Sequence, residues 1–383
     1  MRVAQIAPPW FPIPPHGYGG IERVVYDLTE GLLKIGCDVV LFAPAGSNTN
    51  APLVEIVNRP VGLNLTEAQK NRRVVESSRL AYRRALEMGV DLVHDHTDVD
   101  APRGFPLPVV RTIHGPATPA AVANYRRLTK RGDRFIAISQ RQRDLFEAAA
   151  ERQFGPGDQI AFIDVIHNPL DVSAAPFYPI EEKRGYAAFL GRCHWEKCPD
   201  GAIRVAQAAG VPLMMALRVT SEEEAYFDAV VRPLVLSIKN LAKFVGEVSG
   251  QEKDELIGHA GTVIFPSPWE EPFGLVMAEA AARGTSVVAL ARGSAPEVVV
   301  DGVTGILCQD EDAMIEAIPR AMLLDPVACR AHANALFDRE MIAGKHLAVY
   351  EAICGSKRKK RVSGTTSAKK NGRVSEPVAQ HAS

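Results

Sequence analysis

Two carboxylates eight residues apart stand out in the segment WEEPFGLVMAEAAARG, residues 269–284. Glu271 precedes a Pro-Phe-Gly turn, and Glu279 lies inside a run of alanines that reads as a helix apolar nearly all round. Such a helix is normally buried, and a buried carboxylate without a partner is strongly destabilising. Glu279 therefore binds either groups of the protein, such as backbone amides or an arginine, or a ligand.

The same segment has the features of an anion site. We expect the helix to begin near Leu275, directly after Gly274, and the first backbone N–H groups of a helix attract anions. If helical geometry extends back to Glu271, a spacing of eight residues places the two carboxylates about 80° apart around the axis, facing one cleft. Carboxylates only accept hydrogen bonds. The combination predicts a ligand with both phosphate and hydroxyl groups.

Two cations follow a predicted strand in FLGRCHWEKC, where Arg192 and Lys197 are five residues apart. Cations at a strand end can clamp a diphosphate, although surface charges are the commoner explanation of a single such pair. Both this motif and the carboxylate motif end strands of the same half of the chain, which favours one shared site. Cys193, His194 and Cys198 resemble half of a zinc site, but no second ligand pair follows, so no metal is expected.

The first half of the chain contributes glycines and histidines. Gly19 and Gly20, in HGYGG, open the first predicted helix and would let the backbone approach a phosphate or sugar. The dinucleotide spacing G-x-G-x-x-G is absent, which argues against a nicotinamide cofactor. His114 ends a strand and has either a structural or a functional role. His94 and His96 lack an obvious third metal ligand, so packing at a loop or helix start is favoured.

Strand and helix patterns alternate along the chain and restart after residue 180. A length of 383 residues suits two domains. Alternation of this kind predicts an α/β fold of two Rossmann-like, doubly wound domains that face a cleft, with the boundary near residues 168–183. Ligands of such sheets bind beyond the carboxyl ends of the strands, where all of these motifs are expected.

Composition narrows the partners and the compartment. The formal net charge of -1 excludes a generally basic nucleic-acid-binding protein. Six scattered cysteines and the lack of a secretory signal favour the cytoplasm. Residues 356–383 are polar, basic and aperiodic, which predicts a disordered tail. Its KRKKR run, residues 357–361, would allow at most weak, salt-sensitive contact with an anionic membrane surface.

Taken together, five stretches resemble retaining glycosyltransferases of family 4, which have the GT-B fold. They are PWEEPFGLVMAEAAARGTSVVA, the Gly-Arg with a Lys five residues later, GGIERVVYDLTEGLLKIGCDVVLFAP, IHNPLD and GSAPEVVVDGVTGILC. The resemblance covers about residues 1–355, and the stretches PWEEPFGLVM and VPLMMALR…FVGEVS are similar to a bacterial subgroup related to antibiotic-sugar transferases. It implies an acceptor-binding domain at 1–172, a nucleotide-sugar-binding domain at 173–338, and a helix at 339–355 that crosses back to the first domain.

The resemblance also implies roles for the residues that match the family motifs. Glu279 would hold the ribose hydroxyls of the donor, and Glu271 a hydroxyl of its sugar. His114 would lie near the donor sugar and the acceptor. The remaining matches would surround the diphosphate and the donor: Arg192, Lys197, Phe273, Gly274, Leu275, Gly19 and Gly20.

The resulting hypothesis is a retaining transferase that moves a hexose from a UDP- or GDP-sugar to a sugar, lipid or natural-product acceptor. No metal or other cofactor is expected, because cations and the helix terminus supply the positive charge. The loop MALRVTS replaces the glycine turn that in the family often meets the base, which leaves the base open. Two alternatives remain: a nucleotide-sugar epimerase or sugar phosphorylase on the same fold, and a non-catalytic nucleotide-sugar-binding protein.

Overall fold

A computed structural model describes residues 1–62, 65–157, 159–238 and 241–367. Within these residues the chain forms two parallel sheets, each covered by helices, as the alternating pattern predicted. The first sheet has seven strands in the order β3-β2-β1-β4-β5-β6-β7, and the second has six in the order β10-β9-β8-β11-β12-β13. The two Rossmann-like domains and the α/β class are confirmed.

The first domain carries seven strands and four helices in its described part. The strands are β1 Arg2–Ile6, β2 Asp38–Ala43, β3 Leu53–Glu55, β4 Leu92–Asp95, β5 Val109–Ile113, β6 Arg134–Ala137 and β7 Phe162–Val165. The helices are α1 Gly20–Lys34, α2 Glu67–Glu87, α3 Pro119–Lys130 and α4 Gln140–Phe154. The central strands β4 and β5 are buried along their whole length, as expected for a sheet covered on both faces.

The second domain repeats this arrangement. Its strands are β8 Ala187–Arg192, β9 Leu213–Arg218, β10 Ala242–Gly246, β11 Thr262–Phe265, β12 Ser286–Leu290 and β13 Gly305–Cys308. Its helices are α5 Pro199–Ala209, α6 Glu224–Tyr226, α7 Arg232–Ser237, α8 Gly250–Gly258, α9 Leu275–Ala282, α10 Ala295–Val298, α11 Glu311–Ala321 and α12 Pro326–Phe337. A short π-helical segment, Phe227–Val231, joins α6 to α7, and a 3-10 turn spans Ile180–Glu182.

Strand order reverses at the centre of each sheet. In the first sheet β1 lies between β2 and β4, and in the second β8 lies between β9 and β11. Loops after adjacent strands diverge at such a point and open a crevice at the carboxyl ends of the strands. The predicted site motifs follow β1, β5, β8 and β11, so the topology brings them to these two crevices.

The helices differ in how they begin. Thr66, Thr118 and Ser139 each cap a helix of the first domain by accepting a hydrogen bond from a backbone N–H. By contrast, α1 and α9 begin after Gly19 and Gly274 with no side-chain cap. The first N–H groups of these two helices are therefore not occupied by a capping side chain.

The last helix, α13 Arg339–Ser367, returns from the second domain to the first. Its residues Ile342 and Tyr350 are fully buried in the hydrophobic core of the first domain, which includes Val3 and Leu28. The helix continues past Gly355, where the sequence predicted the start of a disordered tail, and residues 368–383 of that tail lie outside the described residues. No helix in the described ranges has the length and apolarity that crossing a membrane requires.

Candidate functional site

A cavity of about 990 Å³ lies between the two domains. Its walls come from the loop after β1 and from α1 on one side, and from the loops after β8 and β11 on the other. It brings together the residues that the sequence singled out: Gly19, Gly20, His114, Arg192, Lys197, Glu271, Phe273, Gly274, Leu275 and Glu279. The cleft is therefore the candidate active site.

The carboxylate motif is a loop followed by a helix. Helix α9 begins at Leu275, so Glu271 lies in the preceding loop and the helical spacing considered for the two carboxylates does not apply. Gly274 adopts φ 74° and ψ 64°, a left-handed conformation that favours glycine. A Cβ at this position would lie 2.5 Å from Cε of Met277. Glycine thus allows the sharp turn that aims the start of α9 at the cleft.

Glu271 is paired with one of the predicted cations. Its Oε2 accepts a hydrogen bond from Nζ of Lys197 at 2.5 Å and another from Nε1 of Trp269 at 3.1 Å. Its backbone oxygen accepts from the amide of Ser294 at 2.9 Å. A Cβ at Gly293 would lie 2.4 Å from the amide nitrogen of Glu271, so only glycine permits this close approach. The loop after β12 therefore fixes the position of Glu271.

Arg192 ends β8 and is one third exposed in the cleft. Its guanidinium lies 3.2 Å from Oε2 of Glu196 and 3.5 Å from Oε1 of Glu223. Lys197 follows in a tight turn in which its amide donates to the carbonyl of His194. Strand β8 and this turn thus place both predicted cations at the same end of the second sheet, and each has a carboxylate partner.

Glu279 has a partner within the protein. Its Oε1 accepts a hydrogen bond from Nζ of Lys253 at 2.6 Å, and the Arg283 guanidinium donates to its backbone carbonyl at 2.8 Å. Burial alone would raise the pKa of the Glu279 carboxyl, but the charges of Lys253 and Arg283 outweigh it and lower the pKa. Glu279 is therefore ionised, and the sequence did not reveal its partner because Lys253 lies in QEKDE, a segment that reads as a solvated helix face.

The glycine loop crosses the cleft to the second domain. The amide of Tyr18 donates to Oε1 of Glu247 at 2.9 Å, and the Arg218 guanidinium lies 4.4 Å from the centre of the Tyr18 ring. A Cβ at Gly20 would lie 3.5 Å from Cδ1 of Leu275, so the starts of α1 and α9 face each other across a short distance. Both helix starts therefore border the same space.

A second contact between the domains forms at the start of α4. The Ser139 hydroxyl donates to the carbonyl of Pro272 at 2.7 Å, next to Glu271. The amides of Gln140 and Arg141 both donate to the carboxylate of Glu297 at 2.7 Å. Arg141 also forms a two-pronged ion pair with Glu270. The loop that carries Glu271 is thus supported from both domains.

His114 faces the cleft as a neutral imidazole. Burial lowers the pKa of His114 to about 3, with a smaller contribution from His346. Its Nε2 lies 3.0 Å from Nδ1 of His96. His94 and His96 are buried at the end of β4 and hydrogen-bond to neighbouring side chains. Both histidines therefore have hydrogen-bond partners within the protein, as a packing role requires.

The cysteine motif lacks a metal arrangement in the described part of the chain. Cys193 and Cys198 are free thiols, and burial raises their pKa values to about 12 and about 11. Among the described residues no group of three or more His, Cys, Asp or Glu side chains is arranged to hold a metal ion. A thiol whose pKa is raised in this way is protonated at neutral pH and is a poor nucleophile.

Sequence reasoning missed two acids in the cleft wall. Glu22 and Asp27, on α1, are almost fully buried, and each has one carboxylate oxygen with no hydrogen-bond partner in the described ranges. Burial raises the pKa of each carboxyl to about 7. One signal in the sequence could have indicated a role for Glu22, because it lies directly after the glycine loop, at the start of the first helix.

Comparison with known proteins identifies the family. The model of Glycosyltransferase Family 4 matches residues 18–174, and that of Glycosyl transferases group 1 matches residues 175–335. The chain is 28% identical over 410 aligned residues to a glycogen synthase of Mycobacterium tuberculosis, covering 92% of this chain and 95% of that protein. The two models meet between β7 and β8, where one sheet gives way to the other.

Solved structures share the fold. AviGT4, a glycosyltransferase involved in avilamycin A biosynthesis, has 24% identity and a TM-score of 0.67, with 92% of this chain and 98% of that chain covered. The Anabaena protein HepE in complex with UDP-glucose has 18% identity and a TM-score of 0.68, with 92% and 100% covered. The chain described here is a GT4-like glycosyltransferase of the GT-B fold.

Proposed function

We propose that this GT4-like glycosyltransferase moves a hexose from a UDP- or GDP-sugar to an acceptor bound mainly by the first domain, with retention of configuration and without a metal ion. The observation that carries the proposal is the second-domain wall of the cleft. There Arg192, Lys197 and the uncapped start of α9 lie around the same space as two ionisable carboxylates. A sugar joined to a diphosphate presents the matching groups.

The cations and the helix start would stabilise the leaving group. Negative charge develops on the diphosphate as the bond to the sugar breaks, and preorganised donors aimed at that charge lower the barrier. Lys197 is held by Glu271 at 2.5 Å. Arg192 is held by Glu196 at 3.2 Å and by Glu223 at 3.5 Å. A diphosphate entering the cleft would compete with these carboxylates for the two cations. The carboxylates thus keep the cations in position until the donor arrives.

The two motif carboxylates would then divide the recognition of hydroxyl groups. Glu279, ionised and held by Lys253 at 2.6 Å, has a second oxygen for the ribose hydroxyls of a nucleotide. Glu271 would accept a hydrogen bond from a hydroxyl of the donor sugar once Lys197 binds the diphosphate instead of Glu271. The structural likeness to HepE bound to UDP-glucose supports a nucleotide-sugar ligand for this fold. His114 would contribute a neutral imidazole on the opposite wall.

The test is a panel of UDP- and GDP-sugars, each incubated with the enzyme and assayed for released nucleoside diphosphate. Release of UDP or GDP from one donor supports transfer or its slow hydrolytic counterpart. Appearance of a new nucleotide sugar without release would indicate an epimerase, and binding without either product would indicate a binding protein. Once an acceptor is found, the anomeric proton coupling of the product shows whether configuration is retained.

A further inference from the structure

A chain of buried polar side chains leads inward from His114. Its Nε2 lies 3.0 Å from Nδ1 of His96, and Nε2 of His96 lies 2.8 Å from Oε1 of Gln5. The amide nitrogen of Gln5 in turn lies 3.3 Å from the hydroxyl of Tyr350, on α13. Gln5, His96 and Tyr350 are at most 4% exposed. The chain therefore runs from the cleft to the helix that crosses between the domains.

The donor and acceptor roles in this chain are determined from its inner end. An amide oxygen only accepts, so Nε2 of His96 carries the proton that it donates to Gln5. A neutral imidazole has one protonated nitrogen, so Nδ1 of His96 is an acceptor. The remaining partner of that nitrogen is Nε2 of His114, which must then donate. Each bond fixes the direction of the next one.

We propose that Gln5 and His96 are positioning residues that hold His114 as its Nε2-protonated tautomer, leaving Nδ1 of His114 as a hydrogen-bond acceptor in the cleft. His114 lines the cleft, and its Nδ1 has no hydrogen-bond partner in the part of the chain that the structure describes. The inference rests on the proposed function in one respect, namely that the ligand bound beside His114 is a sugar. Nδ1 of His114 then accepts a hydrogen bond from a sugar hydroxyl and does not donate one.

Two groups face the amide nitrogen of Gln5. The Tyr350 hydroxyl, on α13, accepts from it at 3.3 Å, and Nδ1 of His94 lies 3.4 Å from it and 2.6 Å from that hydroxyl. The other ring nitrogen of His94 lies 2.8 Å from Oγ1 of Thr112. Rotation of the Gln5 amide by half a turn would place its nitrogen against His96 and reverse the whole chain. The tautomer of His114 thus reports the orientation of an amide two side chains away.

Burial keeps the histidines of this hydrogen-bonded series neutral, which a fixed tautomer requires. Burial lowers the pKa of His94 and of His96 well below the ordinary range, and that of His114 to about 3. The facing groups are His346, whose pKa burial lowers to about 4, and Tyr350, whose pKa burial raises above its ordinary range. A neutral chain with one proton per ring has two possible directions, and Gln5 selects between them.

The first test is the nitrogen NMR spectrum of the full chain labelled with ¹⁵N-histidine, recorded without any donor. Long-range nitrogen–proton correlations distinguish a protonated ring nitrogen from an unprotonated one, and loss of a signal in His114→Gln assigns the ring. We expect Nε2 of His114 to be protonated and Nδ1 to be unprotonated. A protonated Nδ1 with an unprotonated Nε2 in the wild-type protein would overturn the proposal.

The second test changes the residues at the inner end of the hydrogen-bonded series, Gln5 and Tyr350. Gln5→Leu removes the acceptor, and Tyr350→Phe removes the hydroxyl that orients the amide, so each is expected to give a mixture of His114 tautomers. Ser286→Ala is the control, because it removes a buried hydrogen bond to the carbonyl of Ala321 without touching His94, Tyr350 or the path from Gln5 to His114. An unchanged His114 tautomer in both Gln5→Leu and Tyr350→Phe would contradict the role of Gln5.

Kinetics then separates positioning from a general loss of structure. With a donor accepted by the enzyme, Gln5→Leu should lower kcat on the order of tenfold with little change in the KM for the donor, as expected for one lost hydrogen bond in the transition state. Ser286→Ala should leave kcat within a factor of about two. If no nucleotide sugar is turned over at all, the proposed function fails while the tautomer assignment stands, so the two failures are distinguishable.

Discussion

The two walls of the cleft differ in charge. On the second-domain wall, Lys197 is paired with Glu271 at 2.5 Å and Lys253 with Glu279 at 2.6 Å. On the first-domain wall, burial brings the pKa of His114 down to about 3 and that of Glu22 up to about 7. One wall is therefore an array of ion pairs, whereas the other consists largely of neutral hydrogen-bonding groups below pH 7.

This difference indicates which part of a ligand each wall suits. An ion pair in a cleft keeps its cation desolvated and in position, and an incoming anion replaces the carboxylate without first stripping water from the cation. A neutral wall orients hydroxyl groups through donors and acceptors and does not repel a diphosphate opposite it. The division agrees with a phosphate-bearing donor on the second domain and a polyhydroxylated region facing the first.

Removing a cation from the charged wall should have the largest effect. Lys197→Ala and Arg192→Ala each delete one charge-assisted contact to the leaving diphosphate, which we expect to cost about 2–4 kcal/mol of transition-state stabilisation, or about 30- to 1000-fold in kcat/KM. Initial rates with the best donor of the panel measure the effect. Lys197→Ala also leaves the Glu271 carboxylate without its cation, so its effect should be the larger of the two.

Arg204→Ala provides the matched control. Arg204 lies on α5 in the same domain and is paired with Asp200 and Glu311, away from the cleft lining. Its loss should change kcat/KM by less than about fivefold, as for an exposed ion pair. Wild-type rates in both Lys197→Ala and Arg192→Ala would show that these cations do not hold the diphosphate.

The two carboxylates of the charged wall should separate by ligand. Glu279→Gln should weaken binding of free UDP or GDP by about 10- to 150-fold, because a hydrogen bond to a charged group contributes about 1.5–3 kcal/mol. Glu271→Gln should spare the free nucleotide and lower turnover of the intact donor. Calorimetry with nucleotide and rate measurements with donor check the two expectations. Identical profiles for the two variants would contradict the proposed division of roles.

Lys253→Met sharpens that comparison. Lys253 is the partner of Glu279 and is not part of the sequence motif. If its role is to hold Glu279, the loss of nucleotide affinity in Lys253→Met and in Glu279→Gln should be strongly non-additive in the double variant. Additive losses would indicate that Lys253 contacts the nucleotide independently.

How far the sequence predicted this site depends on the kind of feature. The two sheets followed from the alternation of apolar strands and amphipathic helices, which is a local pattern. The cleft followed from topology, because loops after the central strands of a doubly wound sheet meet at one edge. Lys197 and Glu271 were each found from their motifs, but their pairing at 2.5 Å joins residues far apart in sequence and required the structure.

The remaining misses have related physical causes. Lys253 was not singled out because its helix is polar, yet a lysine can extend its charge over a neighbouring helix to reach Glu279. Glu22 and Asp27 escaped notice because burial depends on what packs against α1, including the returning helix α13. The hydrogen bond from His96 to Gln5 joins β4 to β1, a pairing that the strand order sets and the local sequence does not.

The neutral wall predicts a pH effect on stability. Burial disfavours the charged form of Asp27 and raises its pKa to about 7 in the folded protein, from the ordinary value of 3.8 that applies in the unfolded chain. Between these values the folded state binds more protons than the unfolded state, so the contribution of Asp27 to the free energy of unfolding falls as pH rises from about 4 to about 7. Asp27→Asn does not titrate, so its stability relative to wild type should rise over that range.

We expect Asp27→Asn to be more stable than wild type by about 4 kcal/mol above pH 7 and by little near pH 4. Urea unfolding monitored over this pH range measures the difference. Asp228→Asn is the control, since the Asp228 side chain is 60% exposed on the same chain and should show no such trend. A difference between Asp27→Asn and wild type that stays constant with pH would contradict neutralisation of this carboxyl by burial.

Chelation should have the smallest effect. If the paired cations and the start of α9 stabilise the leaving group, they already supply the charge that a divalent ion supplies in metal-dependent transferases. Within the described residues no cluster of three metal-binding side chains forms. Activity should therefore persist in EDTA, measured by chromatography of the released nucleoside diphosphate, because coupled kinase assays themselves need magnesium. Complete loss in EDTA, restored by magnesium or manganese, would show that the charged wall is not sufficient by itself.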